Sequence, residues 1–161
     1  MHSLDKKKIL KIIFLVSLFA LISAYFIEYV LGHQPCNLCL IERIPYISAM
    51  IIIIINYNFA HLEKYFIFLL VLIFLFSTLI SLYHLGIEQG FIKESLVCDL
   101  NNNSEILSKE EILKQLKQRV VSCKDVTFTI FGFSLTSFNI IISLLITIVL
   151  TKIYLSYEKN K

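Results

Sequence analysis

The sequence predicts an all-α membrane protein: a four-transmembrane-helix bundle with a short amphipathic helix in its second outer loop. Three observations carry that expectation. The chain of 161 residues is 57% hydrophobic and 17% charged, without tryptophan, which lies outside the range of an ordinary soluble domain. Four apolar runs, at 9–31, 39–57, 65–85 and 138–155, are each about as long as a helix needs to cross a hydrocarbon core of roughly 30 Å. The hydrophilic residues gather between these runs, chiefly in 86–137. One domain spanning 1–161, with outer loops 32–38 and 86–137, accounts for the chain, and no internal repeat suggests a second.

The first run follows a basic cluster, Lys6, Lys7, Lys8 and Lys11. Its apolar stretch exceeds the roughly 7 to 15 residues of a secretory signal core and no Ala-x-Ala-like site follows it, so it is expected to remain as an anchor. Lysines crowded before a first crossing place that end in the cytoplasm, and four crossings return both termini to one side. Summed over all loops, basic residues are nearly balanced, eight inside against seven outside, so the dense first cluster sets the orientation.

That orientation puts Cys36, Cys39, Cys98 and Cys123 in the two outer loops or at their edge. An even number of cysteines confined to the oxidising side of a membrane is the pattern expected for disulfides. Within the long outer loop, Ser108-Lys109-Glu110-Glu111 forms a capping box. Ile112, Leu113, Leu116 and Val120 then recur at helical spacing, with Lys114, Lys117, Gln118 and Arg119 on the other face. This segment reads equally as a helix on the membrane surface or as a soluble helix packed on its own loop. In the fourth run Asn139, Ser143, Thr147 and Thr151 form one ridge, matched by Ser77 and Ser81 in the third. Such stripes mark faces where helices approach closely, and they carry no chemistry by themselves.

Cys36 and Cys39 flank Asn37-Leu38 at the start of the second run, a spacing that allows a small reversible disulfide ring. Cys39 falls near the first turn of the coming helix, where free N–H groups and the positive dipole end favour a thiolate. Arg43 stands four residues on, one turn away on the same face. The simpler reading of Arg43 is an interfacial side chain that snorkels to headgroups or pairs with Glu42. Pro45 requires the regular helix to start near it or its first turns to kink. The cysteine pair reads alternatively as half of a zinc site or as two buried thiols. Zinc would need two more ligands, and Cys98 and Cys123 are too far apart to form a second close pair, which favours redox chemistry. Alone, Cys98 and Cys123 suggest a staple worth about 3 kcal/mol; beside a Cys-x-x-Cys, exchange between the pairs is the more economical account. Four cysteines permit three pairings.

The segment Gln34-Pro35-Cys36-Asn37-Leu38-Cys39-Leu40-Ile41-Glu42-Arg43 resembles the bacterial disulfide bond formation protein B (DsbB) family. His84-Leu85-Gly86-Ile87-Glu88-Gln89-Gly90 ahead of Cys98, and Phe131-Gly132-Phe133-Ser134-Leu135 after Cys123, extend the likeness across essentially the whole chain. The resemblance implies an inner-membrane, quinone-dependent thiol-disulfide oxidoreductase. Such an enzyme reoxidises a periplasmic DsbA-like thioredoxin-fold protein and passes electrons to ubiquinone or menaquinone. It implies that Cys98 and Cys123 form the disulfide that the partner attacks, at Cys98, and that Cys36 and Cys39 receive the electrons next. Cys39 is then the member meeting the quinone, Arg43 polarises the quinone oxygen, and His84, at the outer end of the third crossing, is a weaker quinone contact. A lone interfacial histidine is more often a headgroup or bundle contact. The chain departs from the family's best-known form in Pro45 and in a shorter stretch between Cys98 and Cys123. Lipid bilayer, quinone and a soluble dithiol protein are the expected partners, with no nucleic acid and no resident metal. The rival readings are an oxidant dedicated to a few secreted clients, and a membrane protein whose thiols hold zinc or copper.

Overall fold

The computed structural model describes residues 3–93, 98, 122–124, 129–130 and 132–159. The amphipathic helix expected after Ser108 lies outside them. The described chain forms α1 (Ser3–Tyr29), α2 (Asn37–Ile41), α3 (Ile44–Asn58), a 3-10 turn (Ala60–Leu62) and α4 (Glu63–Glu88). A two-residue antiparallel hairpin follows, β1 (Thr129–Ile130) with β2 (Phe133–Ser134), and the last helix is α5 (Leu135–Lys159). Four spans are long and apolar enough to cross a membrane: Lys6–Tyr29, Asn37–Asn58 across the junction of α2 and α3, Glu63–Glu88, and Leu135–Tyr157. The protein is therefore a multi-pass, all-α membrane protein. α4 and α5 overrun their apolar runs at both ends, because backbone hydrogen bonding continues into the interface after the need to satisfy every group internally has ended.

The second crossing is in two pieces for a reason visible in the sequence. Pro45 lacks the N–H that would bond back to Ile41, so it occupies the first turn of a new helix, where that donor would be unpaired anyway. The interruption is confined to Glu42 and Arg43, each still near helical backbone angles. Consecutive residues there leave the regular ladder and point to different neighbours.

Packing runs α1 on α3, α3 on α4, and α4 on α5. The central core combines Leu10 and Ile13, Tyr46, Ala49 and Ile53, Ile67, Leu70 and Phe74, and Ile146, Leu150 and Ile153. Between α4 and α5 the serine stripes meet: Ser77 Oγ lies 3.1 Å from Ser143 Oγ, and Asn139 Nδ2 donates to Ser81 Oγ at 2.7 Å. Thr147 and Thr151 bond instead to carbonyls one turn back in their own helix, at 2.8 and 2.7 Å. The expected ridge thus divides, Asn139 and Ser143 joining helices while Thr147 and Thr151 bond within their own helix. Large apolar side chains such as Phe19, Tyr65 and Phe76 remain exposed, as a lipid-facing surface requires.

One end of the bundle gathers cations over rings, Lys6 on Tyr157 and Lys64 on Tyr154. At the other end α4 stops in a Schellman motif. Gly90, at φ 76°, donates to Ile87 O at 3.0 Å, and Phe91 donates to Gly86 O at 2.9 Å. A Cβ on Gly86 would lie 2.7 Å from Ile92 Cδ1, so the returning chain folds tightly against the helix. These two glycines explain the pattern Gly86-Ile87-Glu88-Gln89-Gly90, which ends α4 beside the cysteines.

Candidate functional site

Cys36 caps α2. Its backbone is extended (φ −72°, ψ 168°) and its sulfur accepts the Cys39 N–H at 3.2 Å, the role a serine or aspartate takes at other helix starts. Cys36 and Cys39 form a disulfide with Cα atoms 5.1 Å apart, and Cys98 and Cys123 form a second, 5.6 Å apart, both inside the range a disulfide spans. Cys36, Leu38, Ile87, Cys98 and Cys123 belong to one buried cluster, with Cys39, Ile41 and Tyr83 packed on it. The two disulfides therefore share a single apolar nest, the arrangement that exchange between them needs.

Arg43 is only 12% exposed, and its Nη1 bonds Glu28 Oε2 of α1 at 2.5 Å. The guanidinium also lies over the Tyr25 ring, 4.9 Å from its centre. The partner suggested by sequence, Glu42, turns the other way. Glu42 Oε1 is 2.9 Å from His84 Nδ1, and its Oε2 accepts from Asn139 Nδ2 at 3.0 Å. Asn139 Oδ1 accepts from Tyr46 OH, which also meets Ser143. A buried polar chain thus runs from α3 through α5 to the cysteine end, and its members are hydrogen-bonded as burial demands.

A cavity of about 320 Å³ opens beside this chain, within the size range of small-molecule sites. Val16, Phe19, Ala20, Ser23, Ala24 and Ile27 of α1 form one wall and Leu135, Phe138, Asn139 and Ile142 of α5 another. The small residues at 20, 23 and 24 make the room. Cys39, Glu42, Arg43 and Tyr46 line its polar side, with His33, Gln34 and Pro35 nearby.

The structure brings Cys39 and Arg43 to one cavity, as their spacing suggested, and sets all four cysteines together. His84 is not part of the cavity wall. It is almost fully buried, with Nε2 3.5 Å from Cys36 Sγ. Sequence reasoning missed Glu28, Tyr46, Thr136, the partners that Glu42 takes and the bonding of Asn139. Glu28 carried a readable signal, since an ionisable residue near the end of an apolar run is rarely idle. The donor atoms of Cys36, Cys39 and His84 lie within 4.8 Å of one another; with both sulfurs bonded together, the cluster is arranged for thiol chemistry.

A membrane bundle carrying two adjoining disulfides at one end belongs to the class of membrane thiol-disulfide oxidoreductases. The model of the family described as "Disulfide bond formation protein DsbB" matches residues 6–153, and the chain belongs to that family. Family membership makes it a disulfide-generating membrane oxidoreductase. It is also similar to the uncharacterized protein RP370 of Rickettsia prowazekii (strain Madrid E), at 30% identity over 160 residues, covering 98% of this chain and 93% of that one.

Proposed function

We propose that this protein reoxidises a periplasmic DsbA-like thiol oxidant and passes the electrons to membrane quinone, ubiquinone or menaquinone, so sustaining disulfide formation in exported proteins. The observation that carries this reading is the cavity itself. It has apolar walls, and at its polar side are one cysteine of the Cys-x-x-Cys pair and a positively charged guanidinium. That donor set fits a quinone: the apolar walls suit its ring and tail, and the guanidinium suits its carbonyl oxygen. The quinone, when bound, supplies a two-electron acceptor.

The residues of this chain supply the rest. Cys98 takes the mixed disulfide with the partner, and exchange with Cys123 and the neighbouring pair moves the reducing equivalents to Cys36 and Cys39. Cys39, at the cavity, delivers them. Arg43 stabilises negative charge as it develops there, since a fixed cation in a water-poor site acts strongly. Glu28 holds that guanidinium in place. His84 reaches the cavity through Glu42 and Thr136. The whole chain acts as one domain in the inner membrane, with both termini cytoplasmic and the cysteines periplasmic.

The test uses purified full-length protein under anaerobic conditions, with a reduced thioredoxin-fold dithiol protein as donor and ubiquinone or menaquinone as acceptor. Quinone reduction is expected, and Cys39→Ser is expected to abolish it. Full activity in that variant would sink the mechanism. About one tightly held zinc per chain would instead favour a metal-binding role. Whether the donor is general or dedicated is read by comparing several thioredoxin-fold proteins in the same assay.

A further inference from the structure

His84 sits where the quinone reading does not use it. With Glu42 ionised, its carboxylate only accepts hydrogen bonds, so the 2.9 Å contact from His84 Nδ1 to Glu42 Oε1 places the imidazole proton on Nδ1. Nε2 is then left with a lone pair, and it faces Cys36 Sγ at 3.5 Å. This is a nucleophile, a base and a carboxylate that orients the base, in the relation that activates thiols and hydroxyls on unrelated folds.

The surroundings support the same assignment. The titratable groups facing His84 are Glu42, from the break after α2, and Glu88, one turn along α4, whose Oε1 is 3.7 Å from Nε2. From α5 come neutral groups: Thr136 Oγ1 lies 3.3 Å from Nδ1 and donates to Glu88 Oε1 at 2.6 Å, and Asn139 holds the far oxygen of Glu42. Arg43, the nearby cation, is matched by Glu28. Two carboxylates therefore face the imidazole, and no cation among the described residues does.

We infer that His84 is the acid–base partner of Cys36, taking the thiol proton on Nε2 as the Cys36–Cys39 bond re-forms, with Glu42 as its positioning residue. The step balances. Two thiols and one quinone give one disulfide and one quinol; the Cys36 S–H bond breaks, the S–S bond forms, the electron pair leaves through Cys39, and His84 carries one of the two protons. That proton ends on the quinol, so when an incoming thiol later opens the pair and Cys36 is the sulfur released, His84 hands to Cys36 the proton that the incoming thiol sheds. The inference rests on Cys36 and Cys39 being the redox pair that serves the cavity.

The test reads the thiol directly, without quinone or partner. A full-length chain with Cys36 as its sole cysteine (Cys39→Ser, Cys98→Ser, Cys123→Ser) is titrated by ultraviolet thiolate absorbance, with and without His84→Gln. The thiolate fraction at pH 7 is expected to fall about tenfold in His84→Gln, the scale set by losing a facing opposite charge. A matching chain with Cys39 as its sole cysteine is expected to change less than about twofold, which a general loss of structure would not allow. Should His84→Gln fail to fold, Glu42→Gln, which keeps an acceptor for Nδ1 but loses the charge, is expected to lower the Cys36 thiolate fraction about threefold. A Cys36 titration that is superimposable with and without these substitutions overturns the inference. Quinone reduction that stays dependent on Cys39 in that case leaves the proposed function standing, so the two fail separately.

Discussion

Replacing Glu28 by glutamine probes an ion pair that reaches from α1 to the cavity. Glu28 Oε2 and Arg43 Nη1 are 2.5 Å apart, with the side chains 20% and 12% exposed. A hydrogen bond to a charged group contributes about 1.5–3 kcal/mol, and removing one partner of a fully buried pair costs about 3–5 kcal/mol. Residual exposure lets solvent screen part of the orphaned charge, and the Tyr25 face still accepts the guanidinium, so we expect a loss of about 2 kcal/mol. The assay is reversible unfolding in mixed detergent micelles for the parent, Glu28→Gln, Arg43→Gln and the double variant. The double-mutant cycle isolates the pair, and its coupling energy should be about 1.5–2 kcal/mol. A coupling below about 0.5 kcal/mol would place Arg43 among ordinary interfacial arginines and remove the reason for treating Glu28 as its support.

Four further outcomes are expected. Asn139→Leu, which removes the donor to Glu42 Oε2 and Ser81 and leaves Tyr46 only its contact with Ser143, should cost about 2–4 kcal/mol in the same unfolding assay; a loss under about 1 kcal/mol would show that the polar chain is not coupled. Ala24→Phe places a ring in the cavity without replacing a cysteine, and should weaken apparent quinone affinity at least about tenfold while both disulfides persist by non-reducing mass spectrometry; unchanged affinity moves the acceptor elsewhere. Gly90→Ala has open space around it but a φ of 76°, so it should cost about 1–2 kcal/mol from backbone strain alone. Gly86→Ala meets Ile92 Cδ1, and its defect should be relieved by Ile92→Ala; no relief would mean that the close approach of chain and helix is not what Gly86 provides.

The four crossings and their approximate limits were legible because bilayer thickness imposes a length that composition reveals directly. That Cys39 and Arg43 would share one cavity was also legible, since the backbone keeps near-helical angles through Glu42 and Arg43 despite the break. What the sequence did not disclose depends on rotation about a helix axis and on chain breaks. Pro45 announced a disturbance, but not that Glu42 and Arg43 would part, one toward His84 and the other toward Glu28. His84 was read as a candidate for the quinone site because it ends α4 at the level of Arg43; facing Cys36 instead is set by how α4 turns against α2, which no periodicity encodes. Asn139 was read as packing and proves also to brace a carboxylate, because a polar residue at a helix interface serves either end equally in sequence.

The cavity between α1 and α5 has rim residues, Phe19 and Phe138, that stay exposed on the surface facing hydrocarbon. A quinone of the kind proposed would therefore have a sideways route, from the acyl chains, that does not pass through water. Its effective concentration is a mole fraction in the lipid, so turnover should respond to dilution by detergent or added phospholipid at constant total quinone. On the proposed function the bilayer would then act as reservoir as well as solvent, and saturation would be a property of the membrane the protein occupies.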